Sequence, residues 1–191
     1  MEKYDCIVVG SGVAAMQLAN NLSARFRVLI ITKSTSQASN SYRAQGGIAV
    51  AMSTNDGPKL HYDDTIKAGC SFHDEQEVWK LVHKAPEIIS GLKSKGFQFD
   101  ENKKGELLLG MEGAHSRKRI VHCGGDATGK HVMDYLHTSI GPNIDIIENQ
   151  FVYELIIHPV TKSCIGIKSK DERGRNYIYL ANKVVLAVGG I

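Results

Sequence analysis

The sequence lacks most of what would mark a chain for a membrane, an oxidising compartment or a nucleic acid. No apolar run approaches the ~20 residues that span a bilayer, and the first residues lack the basic-then-apolar order of a signal peptide. The four cysteines, Cys6, Cys70, Cys123 and Cys164, are scattered without a Cys-x-x-Cys pair. That spacing argues for reduced thiols, against a disulfide frame or a zinc site. Lys and Arg number 23 against 20 Asp and Glu, a net charge of +3, too mild for a nucleic-acid surface. Internal repeats and low-complexity linkers are missing as well. These absences predict a cytoplasmic protein with neither membrane nor nucleic-acid partners, and 191 residues at 42% hydrophobic content suffice for a sizeable core in one domain.

What is present is organised around Tyr4-Asp5-Cys6-Ile7-Val8-Val9-Gly10-Ser11-Gly12-Val13-Ala14-Ala15. An apolar strand-like run breaks into glycines and continues as a helical pattern through Leu18, Ala19 and Leu22, after which Arg27–Ile31 supplies a second strand. In a strand-turn-helix unit of this kind Gly10 allows the sharp turn and Gly12 lets backbone approach a pyrophosphate. Ala15, in the third slot of G-x-G-x-x-G/A, keeps the helix close to the strand. The anion is expected at the helix N-terminus, where unpaired N–H groups and the macrodipole favour negative charge. A dinucleotide fold commonly places an acid for the ribose about 20 residues on; here Thr32-Lys33 stands at that point. Thr32 can still bond a sugar hydroxyl, and Lys33 can reach a phosphate or adenine.

The stretch from Ser34 to Gly47 is small and polar, and its Ala44-Gln45-Gly46-Gly47 runs straight into Ile48-Ala49-Val50. Paired glycines there suit backbone packed against a flat ligand, with Ser41 and Gln45 as donors. A helix is expected over His61–Ala68. A second, amphipathic segment runs over Ser71–Lys95, with Asp74 and Glu77 as a capping box. Its stripe is Val78, Leu81, Val82, Ala85, Ile88, Ile89 and Leu92, Trp79 lies off it, and Pro86 marks a kink or the start of a second helix. A hairpin is expected between Gly96 and Leu109, turning at Asn102-Lys103-Lys104-Gly105. Met111 to Lys130 then interleaves Gly, His, Arg and carboxylates more densely than any other stretch. Arg117 and Arg119 offer forked donors to a carboxylate or phosphate, and His115 and His122 offer hydrogen bonds or proton transfer. His115, His122 and His131 lack a compact ligand spacing, so a metal is not expected. Asp126 or Thr128 would cap a helix over Lys130–Ser139. Strands follow at 145–147, 151–157, 164–169 and 177–180, and Lys183–Gly190 forms an apolar strand ending in paired glycines. Together these elements predict an α/β fold, a parallel sheet with a β-meander, whose glycine-ended strands face one crevice.

Laid out in order, Val8–Ala14, Ala44–Ala49, Asp64–Gly69, Glu112–Ser116, Arg119–His122, Asp126–Gly129 and Val184–Gly190 resemble the N-terminal part of the L-aspartate oxidase family. That family lies within the flavoprotein superfamily that includes the flavin subunits of succinate dehydrogenase and fumarate reductase, and the Glu-Gly-x-His-Ser segment tilts the choice to aspartate oxidase. The resemblance implies a glutathione-reductase-type FAD-binding, Rossmann-like fold, here incomplete. The cofactor would touch Gly10, Ser11, Gly12, Val13, Ala14, Lys33 and the run Asn40, Ser41, Tyr42, Arg43, Ala44, Gln45, Gly46 and Gly47. It implies oxidation of L-aspartate to iminoaspartate with oxygen or fumarate as acceptor, a step toward quinolinate and NAD, with quinolinate synthase as a candidate partner. Glu112 matches a glutamate that faces the substrate, with His115 and Ser116 shaping the same pocket. The slot of the histidine that carries FAD covalently in membrane-bound relatives is Asn40, which implies noncovalent FAD. Val188 replaces the threonine of Ala-Thr-Gly-Gly. Residues 1–191 would be the N-terminal part of the FAD domain, without its capping and C-terminal helical domains. The catalytic arginine and substrate histidines are expected beyond Ile191, no catalytic base is assignable, and the fragment alone is expected to be inactive. A soluble fumarate reductase or succinate dehydrogenase flavoprotein and a non-catalytic FAD-binding module are the alternative readings. An NAD-dependent dehydrogenase is more distant because of the missing acid.

Overall fold

Apolar runs rich in Val and Ile alternate with helical stripes, and a computed structural model describing residues 3–22 and 24–190 shows what they become. In chain order these are β1 (Lys3–Val9), α1 (Val13–Asn21), β2 (Val28–Ile31), a 3-10 turn at Ser36–Ala38, α2 (Asn40–Arg43) and β3 (Ile48–Ala49). There follow α3 (Pro58–Ala68), α4 (Glu75–Ser94), β4 (Leu109–Gly110), β5 (Ile120–Val121) and α5 (Thr128–Thr138). The last four strands are β6 (Ile144–Ile147), β7 (Gln150–Ile157), β8 (Cys164–Asp171) and β9 (Asn176–Leu186). The chain forms two compact units, one from the segments up to Arg43 and from Val132 onward, the other from Ala44–His131. Ile191 lies outside the described residues. Among the described residues no helix is long and apolar enough to cross a membrane.

The first unit is a six-stranded sheet in the order β6-β2-β1-β9-β8-β7. β1 lies parallel between β2 and β9, and Val9 pairs with both Ile31 and Leu186. β6 extends the parallel part beyond β2. Strands buried on both faces read as unbroken apolar runs; accordingly Ile7, Val8, Val28, Leu29, Ile30 and Ile31 are fully buried, each stabilising by about 1.5–3 kcal/mol over exposure. α1 turns the small Ala15 and Ala19 and the flexible Met16 inward.

The meander is present as β7-β8-β9, antiparallel throughout. Its last strand differs from the sequence reading. Instead of separate strands at 177–180 and from Lys183, β9 runs unbroken over 11 residues. Leu180 pairs with Gly166 of β8 and also with Lys3 of β1, so one strand serves both the meander and the parallel sheet. Ala181-Asn182 carries no Gly or Pro to break it.

The second unit holds the short sheet β3-β5-β4 and the helices α3 and α4. α3 begins at Pro58, earlier than the expected His61, because proline suits a first helical position. Asp74 caps α4, accepting from Gln76 N–H at 2.9 Å and Glu77 N–H at 3.1 Å, and the helix continues through Pro86. Of its apolar stripe only Val82 and Ile89 are buried, while Leu81 is 67% and Ile88 46% exposed. The stripe is therefore wider than the surface that α4 packs on. Trp79 rests on His83 and edge-on against Tyr62. The expected hairpin reduces to a Glu101–Leu107 bridge around a turn that the Asn102 side chain holds by accepting from the Lys104 and Glu106 N–H groups. α5 starts two residues earlier than expected, at Thr128, whose hydroxyl accepts from Cys123 N–H at 3.2 Å.

Candidate functional site

The carboxyl ends of β1, β2 and β9 open onto a cavity of about 560 Å³ in the first unit. Gly10 adopts φ +109°, and a Cβ there would stand 2.2 Å from the carbonyl oxygen of Ala187. Glycine at this position is what lets the ends of β1 and β9 converge. Beyond it, α1 starts at Gly12 with no side-chain cap and no acid in its first turn, so its N-terminal N–H groups and dipole face the cavity without a negative charge of their own. Ser41 Oγ accepts from Val13 N–H at 3.1 Å, keeping its own proton to donate. Ser11 is buried and donates to Thr32 Oγ1 at 3.1 Å. The Thr32 hydroxyl thus braces the glycine turn against β2, a role the sequence reading had not given it.

Of the expected cofactor residues, Gly10, Ser11, Gly12, Val13, Ala14, Lys33, Asn40 and Ser41 line this cavity. Tyr42 and Arg43 continue α2 without lining it. Gln150, Phe151 and Val152 also line it, as do Leu186–Gly190, and the former group was missed. The signal available was topological: Gln150 follows β6, and in a parallel sheet the ligand crevice lies at carboxyl ends of strands. Gln150 N–H donates to Thr32 O, folding the segment after β6 over the end of β2. Glu148 in that segment accepts from Ser36 N–H at 2.6 Å, so the acid absent from the end of β2 is found one strand over, securing the loop that follows.

In the second unit, Ala44, Gln45 and Gly46 are exposed, and Gly47 packs where a Cβ would meet Ile120 and the Val121 carbonyl at 2.3 and 2.4 Å. The Glu112 carboxylate lies beside Gly46, with Oε1 3.7 Å from a Cβ built there. His115 N–H reaches back to Glu112 O at 3.4 Å, and Ala114 between them takes a left-handed φ of +70°. Ser116 gives both its N–H and its hydroxyl to Asp64 Oδ2, each at 2.8 Å. Behind this loop lies Arg119, completely buried. Its Nε and Nη2 fork onto Asp56 at 2.9 Å each, and its Nη1 reaches Asp64 at 2.8 Å and His115 Nδ1 at 3.4 Å. The carboxylate expected for the arginine fork is therefore internal. Arg117 donates to the carbonyls of Asn55 and Ser116.

Burial would raise the Asp64 carboxyl, but hydrogen bonds from Ser116 and Arg119 outweigh it and hold the group below its ordinary range. His61 is pushed down, first by burial and then by Arg119; it is buried with Nδ1 unpartnered, its ring edge-on to His115 at 5.7 Å. Further along, Gly124 and Gly125, both left-handed, donate consecutive N–H groups to Asp100 at 2.9 Å each, a backbone nest around a carboxylate. The Gly125 bond foremost lowers the Asp100 pKa. All four cysteines are free, and burial pushes the Cys6 and Cys123 thiols up. No group of three or more His, Cys, Asp or Glu among the described residues is placed to hold a metal ion.

A parallel sheet whose first strand ends in a glycine turn, under a helix with no acid in its first turn, defines a dinucleotide-binding α/β unit. The chain belongs to the FAD binding domain family, whose model matches residues 5–191. Its cofactor is FAD, and the open helix start and glycine-lined crevice fit the pyrophosphate of such a group. Among curated relatives, L-aspartate oxidase of Bacillus subtilis is 42% identical over the whole of this chain and 35% of its own length. The chloroplastic L-aspartate oxidase of rice is 34% identical over 98% of this chain and 30% of its own. The chain thus spans about a third of the length of the curated relatives it matches. Among solved structures, Mycobacterium smegmatis Sdh1 in complex with UQ1 superimposes with a TM-score of 0.89 at 26% identity, over 100% of this chain and 34% of that one. A flavocytochrome c3 fumarate reductase shares the fold with a TM-score of 0.85 at 24% identity, over 99% and 34%.

Proposed function

We propose that this chain is the dinucleotide-binding part of an FAD-dependent L-aspartate oxidase, converting L-aspartate to iminoaspartate with oxygen or fumarate as acceptor. The observation that carries the reading is the Glu112–Ser116 loop held beside Gly46, together with 42% identity to an L-aspartate oxidase. Bound FAD supplies a hydride acceptor for the substrate α-carbon. The residues of this chain do the rest of what is proposed here. Gly10–Ala14 and Ser41 bind the pyrophosphate, and Lys33 reaches the adenosine end. Ala44–Gly47 lie along the flavin, and Glu112 meets the substrate amino group through charge and hydrogen bonding. Asn40 has no imidazole to bond the flavin, so FAD is held noncovalently. On this reading the product feeds quinolinate and NAD synthesis, with quinolinate synthase as a candidate partner, and the activity resides in the cytoplasm. A chain that spans about a third of the length of the L-aspartate oxidases it matches is expected to need the rest of such an enzyme for turnover.

The test is a chimera in which this chain replaces the matching residues of the Bacillus subtilis enzyme. Aspartate-dependent peroxide formation is expected, and Glu112→Gln should lower aspartate turnover more than it weakens succinate or fumarate binding. A chimera that binds FAD, reduces fumarate and ignores aspartate would favour the fumarate reductase alternative. One that binds FAD without any turnover would favour the binding module. Acid precipitation separates the cofactor question: yellow colour staying with the pellet would refute noncovalent FAD.

A further inference from the structure

Arg119 is the least exposed charged residue of the second unit, and its partners include both His115 and the carboxylate that holds Ser116. Four of its five N–H groups are accounted for: two on Asp56, one on Asp64 and one on His115 Nδ1. A guanidinium has no acceptor, so the contact with His115 fixes the roles. Nδ1 must accept, and the neutral ring must carry its proton on Nε2. That nitrogen has no hydrogen-bonding partner among the described residues, and the ring is half-buried. Asp64, oriented by the same guanidinium, takes both donors of Ser116. Ala114, one residue before His115, is left-handed at φ +70°, a conformation unfavourable for alanine that persists only where its neighbours are held.

We propose that Arg119 is a positioning residue which, through Asp64 and His115 Nδ1, fixes the Glu112–Ser116 loop and leaves His115 Nε2–H as a neutral donor for a substrate carboxylate. The substrate clause rests on the function proposed above; the positioning does not. Ser116 then acts on the loop rather than on the ligand. His115 Nε2–H and the Glu112 carboxylate then stand three residues apart on one held loop, which offers a donor and an acceptor to a zwitterionic amino acid. Dicarboxylates without an amino group would use only the former.

The first measurement is nitrogen NMR of histidine-labelled chain, at a pH where the ring is neutral, with amide exchange at Ser116. His115 should show an unprotonated Nδ1 and a protonated Nε2. Asp64→Asn should speed Ser116 amide exchange by about tenfold or more, as expected when a charge-assisted hydrogen bond is weakened. Ser116→Ala keeps the Arg119–Asp56 pair intact, so it reports on the loop even if the Asp64 variant fails to fold. A protonated Nδ1 on His115, or Ser116 exchange unchanged in a folded Asp64→Asn chain, overturns the positioning. The second measurement is made in the chimera: Ser116→Ala should raise the KM for aspartate about tenfold at unchanged FAD content, and Ser116→Thr should restore it. An unmoved KM overturns the substrate clause. A chimera inactive on aspartate before any such substitution removes the function proposed above, and the NMR result still decides the positioning.

Discussion

Burying Arg119 beside Asp56, both side chains fully covered, sets a heavy penalty on removing either alone. Arg119→Met should destabilise the chain by about 3–5 kcal/mol, because an uncompensated carboxylate remains; pairing it with Asp56→Asn should recover part of that loss in urea unfolding. Gly10→Ala tests the other unit. Its Cβ would meet the Ala187 carbonyl at a φ foreign to alanine, for a cost of about 2–5 kcal/mol, and FAD or ADP binding should fall with it. Three further residues set the acid limit of stability. His61 has its pKa lowered in the fold, so the unfolded chain binds the proton more readily. Its contribution is present above about 6.5 and is lost as the pH falls below that value. Asp64 and Asp100 are also lowered; as acids their contribution is complete above the ordinary carboxylate range and is lost as the pH falls through their folded values. Thermal melts against pH should therefore show two steps, with Asp100→Asn flattening the lower and His61→Gln the upper.

At the scale of elements, sequence periodicity was most reliable where burial is complete on both faces. β1, β2 and α1 were legible because an unbroken apolar run, a glycine turn and a helical stripe leave few alternatives. The capping of α4 was legible too, since Asp74 needs only its own next turn; Asp74→Ala should cost about 1 kcal/mol, read as a lower midpoint in urea. What failed depended on partners distant in sequence. Leu81 and Ile88 fit the stripe of α4 but stay exposed, because periodicity marks a face without saying whether anything covers it. β9 read as two strands, since only its neighbours β8 and β1 show that its halves are continuous. In the candidate site, the glycines and Ser41 were legible as motif. Arg119 is legible as a forked donor to a carboxylate or phosphate but its acceptors are not, because Asp56 and Asp64 lie more than fifty residues earlier in the chain. Gln150–Val152 carried no motif at all and reach the crevice through topology alone.

For the molecule as a whole, the cavity of the first unit is built from three separated stretches of chain, around residues 9–14, 31–41 and 186–190, joined by 150–152. ADP, which carries the pyrophosphate without a flavin, should slow amide exchange at all of these together and raise the melting temperature with ADP concentration. Protection confined to 10–14 would show an anion at the helix end without a nucleotide site. The parallel pairing of β1 with β9 has a consequence for synthesis. β1 meets β2 within one short crossover, but its other edge waits for residues 180–186, more than 170 residues further along the chain. Closing a pairing of such sequence separation is slow, and meanwhile Ile7, Val8 and Val9 present an open, apolar strand edge. A strand made early within this unit is thus enclosed late, so nascent chains should engage holdase chaperones until β9 emerges.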